Sequence, residues 1–453
     1  MLDTTSEKIF NKNYLHQYIS VCAVSLTFFI TGTQLGYLSP CLVILEIDGY
    51  NQMLPIKDTD KSTIIMCLSF GIIPGAIWAS YINDLIGRKY SIMLIFVPQI
   101  LCQIFVYFAT HVYMFCISEF LRGFCVAWAF SAVPIYISEI SSPHLRGPFT
   151  VCCIVLQQVG NLVGSMIQST LSIDQTAIVC STMSTIVLPM LKLQRIENVD
   201  KQYEEMKLAW IESQTIKKAS WLKLFTVPLN LKLFLICAGV QTAQQMTGQL
   251  YMVSNVHSII HNSALELSLA TISIVINTVG IVAALLGIYL IEQWGRKPLF
   301  MIICSGSFIG HSMTAIAFLV EDIQSEKSVL CGSIEFAGII IYKAMIGVGF
   351  QHLPNILASE LFATEVKSKG TSMLMLISSL LGAGSTQIFT RLYGISGYVA
   401  FFSMASVAFC ALIFGYFLVP ETKNRSLLEI QNEFKKKKNS GHNSSVKNDG
   451  NEI

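Results

Sequence analysis

The chain has 453 residues, of which 53% are hydrophobic and 13% charged, and its formal net charge is +2. Soluble proteins have about a quarter of their residues charged, so this composition is typical of a membrane protein and excludes an ordinary soluble domain. The 13 cysteines lie mostly in apolar segments and form no Cys-x-x-Cys pair, which argues against a disulfide framework or a zinc site.

Twelve apolar segments approach the length of about 20 residues that a helix needs to cross a bilayer. They form two sets of six, separated by a polar stretch, and cover 19–40, 62–83, 91–110, 113–136, 149–170, 176–191, 232–254, 269–291, 299–320, 334–357, 370–389 and 397–419. The sixth segment is the shortest. The sequence therefore predicts an all-α membrane protein with twelve transmembrane helices in two six-helix bundles.

The positions of lysine and arginine predict the orientation of these helices. With the N-terminus inside, 23 of the 30 cations fall on the cytoplasmic side and four in outer loops. Because cations accumulate on the cytoplasmic side of membranes, we expect both termini in the cytoplasm, and we expect the protein in the plasma membrane.

Four regions follow from this pattern. We predict an N-terminal bundle over 1–191, a cytoplasmic linker over 192–228, a C-terminal bundle over 229–420 and a cytoplasmic tail over 421–453. The linker carries mixed charge, which fits a helix on the membrane face and a solvated connection equally well.

A short motif occurs at matching places in the two halves. Asp84-Leu85-Ile86-Gly87-Arg88-Lys89 ends one apolar segment, and Glu292-Gln293-Trp294-Gly295-Arg296-Lys297 ends another. A carboxylate there can accept hydrogen bonds from the amides of a neighbouring helix start. The glycine permits a sharp turn, and the arginine offers a planar fork to a second carboxylate. The repeat indicates a duplicated membrane protein.

Several further motifs resemble the sugar porter family of the major facilitator superfamily. Besides the two repeated motifs, they are Pro134–Glu139 with Arg146-Gly147, Gln244–Gly248, Glu360-Leu361-Phe362 with Lys367, and Pro420–Lys423. The stretch Gly32–Tyr37 looks like the facilitated trehalose/glucose transporter branch. The resemblance implies the major facilitator fold and facilitative transport of a sugar, trehalose or a hexose, by alternating access.

The charged motif residues are expected to form a cytoplasmic gate that joins the bundles when the cavity opens outward and separates when it opens inward. The gate residues are Asp84, Arg88, Glu139, Arg146, Glu292, Arg296, Glu360 and Lys367. The alternative is static helix-end charge beside lipid phosphates. Replacing Arg88 or Arg296 with alanine is expected to reduce transport without loss of surface expression.

For the substrate, the resemblance assigns the amides of Gln244 and Gln245 to sugar hydroxyls, with Asn277, Asn355 and Gln157 at or near the family's other binding positions. Hydrogen bonding between helices is the alternative role for the glutamine pair.

This pocket departs from the family's pattern. Leu250 replaces an expected Asn, and Asn355 replaces an expected Trp. Glu119 stands in place of the fourth-helix Arg, with Arg122 three residues later, so a local ion pair can replace a longer contact. Lys343 lies inside the tenth segment. Its side chain is expected to extend along the helix toward the outer membrane surface or to pair with a carboxylate, and the alternative is that this buried lysine is a functional residue.

No acid occurs in 28–37, where proton-coupled members carry an Asp, so we expect facilitated diffusion. No catalytic constellation, metal cluster or phosphate-binding Gly-Lys loop is apparent, and we expect no enzymatic activity, cofactor or metal.

The expected partners are a small-molecule sugar and membrane lipid, with no nucleic acid, and the protein is expected to act as a monomer. Two rivals stay open, namely a carrier of another solute such as an organic ion, with Lys343 as counter-charge, and a non-transporting sugar sensor.

Overall fold

The computed structural model describes residues 12–51, 53, 55–140, 146–193, 222–324, 327–362, 364–423 and 429. Most of the predicted linker and tail therefore lies outside the described residues. So do the side chains of five predicted gate residues, Asp84, Glu139, Arg146, Glu292 and Lys367.

Sixteen α-helices make up the described chain almost entirely. Those before the linker are α1 (Lys12–Gly36), α2 (Leu38–Ile47), α3 (Asp58–Leu85), α4 (Arg88–Tyr107), α5 (Val112–Ile140), α6 (Arg146–Thr170) and α7 (Ile173–Leu193). Those after it are α8 (Leu222–Thr226), α9 (Pro228–Met246), α10 (Gln249–His261), α11 (Leu269–Trp294), α12 (Arg296–Gln324), α13 (Val329–Met345), α14 (Leu353–Leu361), α15 (Thr364–Ile395) and α16 (Gly397–Leu418). A π-helix, Ile346–Phe350, connects α13 to α14.

Apart from α8, these helices form the twelve predicted spans, and three spans are divided into shorter pieces. The first is α1 with α2, the seventh is α9 with α10, and the tenth is α13 with the π-helix and α14. We call the face at the start of α1 and the end of α16 the terminal face, and the opposite one the loop face. An even number of spans places both described ends of the chain on the terminal face.

By hydropathy and length, nine stretches of the described residues qualify as membrane spans on their own. The fifth, sixth and seventh spans do not, and for the fifth and seventh the reason is their amides, such as Gln157, Gln158, Gln244 and Gln245. Polar residues at membrane depth face other helices or a cavity, so these spans are the ones expected to border the centre of the molecule.

Packing within the two halves follows the same plan. In the first half α1 packs on α6, α3 on α5, and α4 on α7. In the second half the corresponding spans pair in the same way, as α9 with α15, α11 with the π-helix, and α12 with α16. Each half has two apolar cores of its own. The duplication that the repeated motif indicated is thus present in the packing.

Between the halves, helix contacts run through α3 with α15, α6 with α11, and α2 with α10. The side-chain hydrogen bonds across these pairs lie near the loop face. For example, Ser62 near the start of α3 donates to Gln387 in the later part of α15, at 3.3 Å between Oγ and Oε1. The halves are therefore joined on the side away from the chain ends.

Candidate functional site

A small cavity lies between the two halves, bordered by α1, α2, α6, α10, α11, α13 and the π-helix. Its volume is about 40 Å³, which is room for one or a few water molecules. Its polar lining residues are Ser39, Asn161, Ser165, His257, Asn277, Tyr342 and Lys343. Because both halves contribute walls, any movement of one half against the other changes the shape of this cavity.

The break in the seventh span is held by a buried histidine. Gly248 has a φ of +83°, a conformation that glycine adopts easily, and it ends the hydrogen-bond ladder of α9. The carbonyl oxygen of Thr247 lies 3.1 Å from Nε2 of His311 on α12. The His311 ring packs on Tyr342, with 4.1 Å between ring centroids. Irregular backbone at membrane depth needs such a partner inside the protein.

Replacing His311 with leucine is expected to lower the free energy of unfolding by about 1–3 kcal/mol, because the buried Thr247 carbonyl loses its donor. The melting temperature of the purified protein in detergent measures this. His261→Leu, near the end of the same broken span, is the matched control and is expected to change the melting temperature little. Equal melting temperatures for the two variants would show that the carbonyl does not depend on His311.

Polar atoms without protein partners face the cavity. Oδ1 of Asn161 and Oγ of Ser165 are buried and make no hydrogen bond. Asn277 uses its Nδ2 on the carbonyl of Ser273, at 2.9 Å, which leaves its oxygen available. Lys343 also lines the cavity and lies in the second half of α13, so it does not extend to the helix start at the loop face. These groups form a surface that can hydrogen-bond hydroxyl groups.

On the loop side of the cavity, a chain of hydrogen bonds crosses twice between the halves. Nδ1 of His257 on α10 lies 2.9 Å from Oγ of Ser39 on α2, and its Nε2 lies 2.9 Å from Oγ of Ser273 on α11. The hydroxyls of Ser273 and Ser169 share a further hydrogen bond of 2.9 Å. Because Ser39 and Ser169 belong to the first half, this chain closes the cavity toward the loop face.

Nearer the loop face, an ion pair adds a second layer. Lys61 is buried and lies 2.6 Å from Glu46, and Ser258 of the second half donates to the same carboxylate at 3.4 Å. On the terminal side of the cavity, one amide pair crosses the halves. Nε2 of Gln158 on α6 donates to Oε1 of Gln351 after the π-helix, at 3.2 Å.

The predicted substrate residues are spread around this centre. Asn277 lines the cavity. Gln245 donates to Ser378 on α15, at 2.8 Å, which is the helix-to-helix role considered above. Gln244 and Gln157 are buried, and Oε1 of each has no hydrogen-bond partner. Asn355 is exposed on α14. Only Asn277 among these five contributes to the cavity wall, and the sugar-binding role of all five stays a prediction.

At the terminal face, Arg296 forms a bidentate ion pair with Glu360. Its Nε and Nη2 lie 3.1 Å and 2.5 Å from the two carboxylate oxygens, and Thr422 donates to the same carboxylate. Glu421 accepts hydrogen bonds from the backbone amides of Arg296 and Lys297, at 3.1 Å and 3.2 Å. Glu421 thus provides a carboxylate at the start of α12, where the positive end of the helix dipole favours negative charge.

The two repeated motifs have matching geometry. Gly87 and Gly295 have φ values of +81° and +91°, so the sharp turn expected of each glycine is present. Nη1 of Arg88 donates to the carbonyl of Asn83 at 3.2 Å, and Nη1 of Arg296 donates to the carbonyl of Ile291 at 3.4 Å. Among the described gate side chains, the Arg296–Glu360 pair joins helices of the same half.

The local ion pair expected on the fourth span is present. Arg122 and Glu119 form a salt bridge on α5 and are both fully buried. Tyr37, the residue between α1 and α2, donates to Glu119 at 3.2 Å, and the Arg122 guanidinium lies 4.1 Å from the centre of the Tyr37 ring. This cluster ties the break in the first span to the fourth span.

Asn161, His257, His311 and Glu421 are structurally important residues that sequence analysis did not assign. Two of them are histidines in apolar helices, where a polar side chain already signals a partner or a cavity. Glu421 belongs to a motif noted in the sequence, but nothing in the spacing shows which helix start it caps.

Comparison with known proteins gives a consistent family. The family model described as "Sugar (and other) transporter" matches residues 18–178 and 187–434. Sugar transporter ERD6-like 17 of Arabidopsis thaliana is 25% identical over 447 residues, covering 91% of this chain and 92% of the relative. The facilitated trehalose transporter Tret1-2 homolog of Drosophila simulans is 24% identical over 442 residues, covering 92% and 90%.

Among solved structures, a crystal structure of a D-xylose–proton symporter superimposes with a TM-score of 0.72 at 16% identity, covering 90% of this chain and 99% of that one. The inward-open xylose transporter XylE from E. coli gives a TM-score of 0.70 at 17% identity, covering 91% and 99%. These likenesses confirm the predicted fold, with twelve transmembrane helices in two six-helix bundles.

Proposed function

Because the chain belongs to the Sugar (and other) transporter family, we propose that it carries a sugar across the membrane by facilitated diffusion, with one central cavity opening alternately to the two sides. Trehalose and hexoses are the first substrates to test, since the relatives include a protein named as a facilitated trehalose transporter. The same membership favours a transporter over an enzyme.

One observation carries the alternating-access proposal. The cavity lies between the halves and is bounded on its two sides by different cross-bundle hydrogen bonds, His257 with Ser39 toward the loop face and Gln158 with Gln351 toward the terminal face. Breaking one set while the other holds would expose the cavity to one side at a time. Substrate hydroxyls would then replace the missing partners of Asn161 and Ser165.

In this arrangement the cross-bundle hydrogen bonds on both sides of the cavity are formed. We propose that both termini are cytoplasmic, in line with the lysine and arginine distribution, and that the protein lies in the plasma membrane. The loop face is then extracellular, and the polar chain through His257 and Ser273 is the closed outer gate. The predicted bundles, 1–191 and 229–420, are the two moving bodies, and 192–228 connects them.

We further propose that transport is not coupled to protons. No carboxylate lines the cavity within the described residues. The buried carboxylate nearest to the first-span break, Glu119, is paired with Arg122. Proton relays in membrane proteins use Asp, Glu or His side chains, and among the described residues two such groups at this centre, Glu119 and His257, are both held by protein partners.

Uptake of radiolabelled glucose and trehalose into oocytes tests the proposal. We expect saturable uptake above that of water-injected cells, trans-stimulation by preloaded unlabelled sugar, and no loss on addition of a protonophore. Surface labelling confirms expression. Saturable uptake that disappears with the protonophore would contradict uncoupled transport, and absence of any sugar uptake at normal surface expression would contradict the function itself.

A further inference from the structure

Lys343 places a single cationic group on the wall of the central cavity. Its side chain crosses to α11, where a methyl group at Gly280 would lie 3.1 Å from its Cε and 3.9 Å from its Nζ. Gly280 thus leaves room for the lysine stem, and the lysine is accommodated within the interface of α11 and α13.

In the part of the chain that the structure describes, the Lys343 ammonium makes neither a hydrogen bond nor an ion pair. The other ionisable residues on the cavity wall are Tyr342 and His257. The Tyr342 hydroxyl donates to Oγ1 of Thr247 at 3.5 Å, and the two ring nitrogens of His257 are both engaged by serine hydroxyls. Among the described residues, the cavity wall therefore carries a positive charge without a neighbouring carboxylate.

An ammonium at membrane depth without an anionic partner is costly, and such groups are usually paired or bind a ligand. The remaining polar groups of the wall, Asn161, Ser165 and Asn277, are suited to hydroxyls. One cation beside neutral hydrogen-bonding groups matches a ligand with one negative charge and several hydroxyls.

Resting on the proposed transport function, we propose that the preferred substrate is a carboxylated sugar whose carboxylate pairs with Lys343 and whose hydroxyls bind Asn161, Ser165 and Asn277. A carboxylate, with a single negative charge, balances the lysine, whereas a phosphate monoester would leave excess negative charge in the cavity. The same lysine then discriminates against neutral sugars, because a neutral sugar leaves it unpaired.

The test compares uptake of labelled D-glucuronate with that of labelled D-glucose and trehalose in oocytes. Three variants are used: Lys343→Met, Lys343→Arg, and Lys327→Met as a matched control, since Lys327 lies in a loop and donates to the Asn262 carbonyl. Wild-type protein is expected to take up glucuronate faster than either neutral sugar. Lys343→Met is expected to lower glucuronate uptake by roughly 10- to 100-fold, the value of a charge-assisted hydrogen bond. Because Lys343 lines the cavity that the neutral sugars also enter, the readout is the ratio of glucuronate uptake to glucose uptake, which is expected to fall in this variant.

Lys343→Arg retains the charge and is expected to keep more glucuronate uptake than Lys343→Met, and Lys327→Met is expected to match wild type. Thermal stabilisation of purified protein by glucuronate, lost in Lys343→Met, provides a second readout that does not depend on turnover. Uptake of glucose or trehalose but not of glucuronate, unchanged in Lys343→Met, would overturn the carboxylate preference and leave the transport function standing. No uptake of any sugar by surface-expressed protein would overturn both.

Discussion

Replacing Arg296 with alanine is expected to lower sugar uptake by roughly 10- to 100-fold, from the loss of charge-assisted hydrogen bonds worth about 1.5–3 kcal/mol. The guanidinium holds both oxygens of Glu360 and its backbone amide holds Glu421. These contacts join the start of α12, the end of α14 and the segment after α16. Without the guanidinium, Glu360 at the end of the tenth span loses its bidentate partner and keeps the hydrogen bond from Thr422.

Lys297→Ala is the matched control, because the Lys297 side chain donates to the Tyr416 carbonyl and does not touch Glu360. It is expected to reduce uptake much less, at equal surface expression. In a double-mutant cycle with Glu360→Gln, the two changes should be strongly non-additive, since each removes the same pair. Wild-type uptake in Arg296→Ala would contradict a role for this pair in transport.

Gly164→Ala is expected to destabilise the first half by about 3 kcal/mol or more, above the usual range for overpacking. A methyl group at Gly164 on α6 would lie 1.9 Å from the backbone oxygen of Thr33 on α1, and one at Gly160 would lie 2.1 Å from that of Phe29. Backbone atoms cannot rotate away as side chains do, so the two helices must separate.

The melting temperature of the purified variant should fall by roughly 5–10 °C, with lower yield of folded protein. Gly384→Ala on α15 is the matched control, because nothing lies within 4 Å of the added methyl group, and its melting temperature should stay near that of wild type. Equal melting temperatures for Gly164→Ala and Gly384→Ala would show that α1 and α6 do not cross as closely as described.

The twelve spans were predictable because nine of them are long, strongly apolar segments and the other three are weaker apolar segments in matching positions, and the number of spans needs no knowledge of their packing. The breaks were less predictable. The seventh span was predicted over 232–254, whereas its second piece continues to His261. Its later residues include His257 and Ser258, which hydrogen-bond to the other half, and such polar residues lowered the hydropathy on which the prediction depends.

The site was predictable only in part. The bidentate contact of the Arg296 guanidinium and the sharp turns at the two glycines can be predicted from residue type alone. The identity of the carboxylate at the start of α12 cannot be predicted in this way, because Glu421 lies beyond the end of the last span. The cavity wall combines α6 with α11 and α13, a proximity that no local pattern in the sequence contains. For that reason Asn161 and His257 were missed, whereas Asn277 was named only because it lies near a binding position of the family that the sequence resembles.

Alternating access requires that the halves separate at the loop face in every cycle. Ser169 and Ser273 stand opposite each other across this interface, with 2.9 Å between their hydroxyl oxygens, so cysteines at both positions are close enough to form a disulfide. Each single cysteine variant controls for pairing with native cysteines.

The most direct measurement is therefore sugar uptake by the Ser169→Cys/Ser273→Cys variant before and after oxidation, with crosslinking confirmed on the same sample. The account predicts that the oxidised variant loses uptake, that a reducing agent restores it, and that neither single variant responds. Uptake that continues unchanged in the fully crosslinked protein would contradict alternating access through this interface.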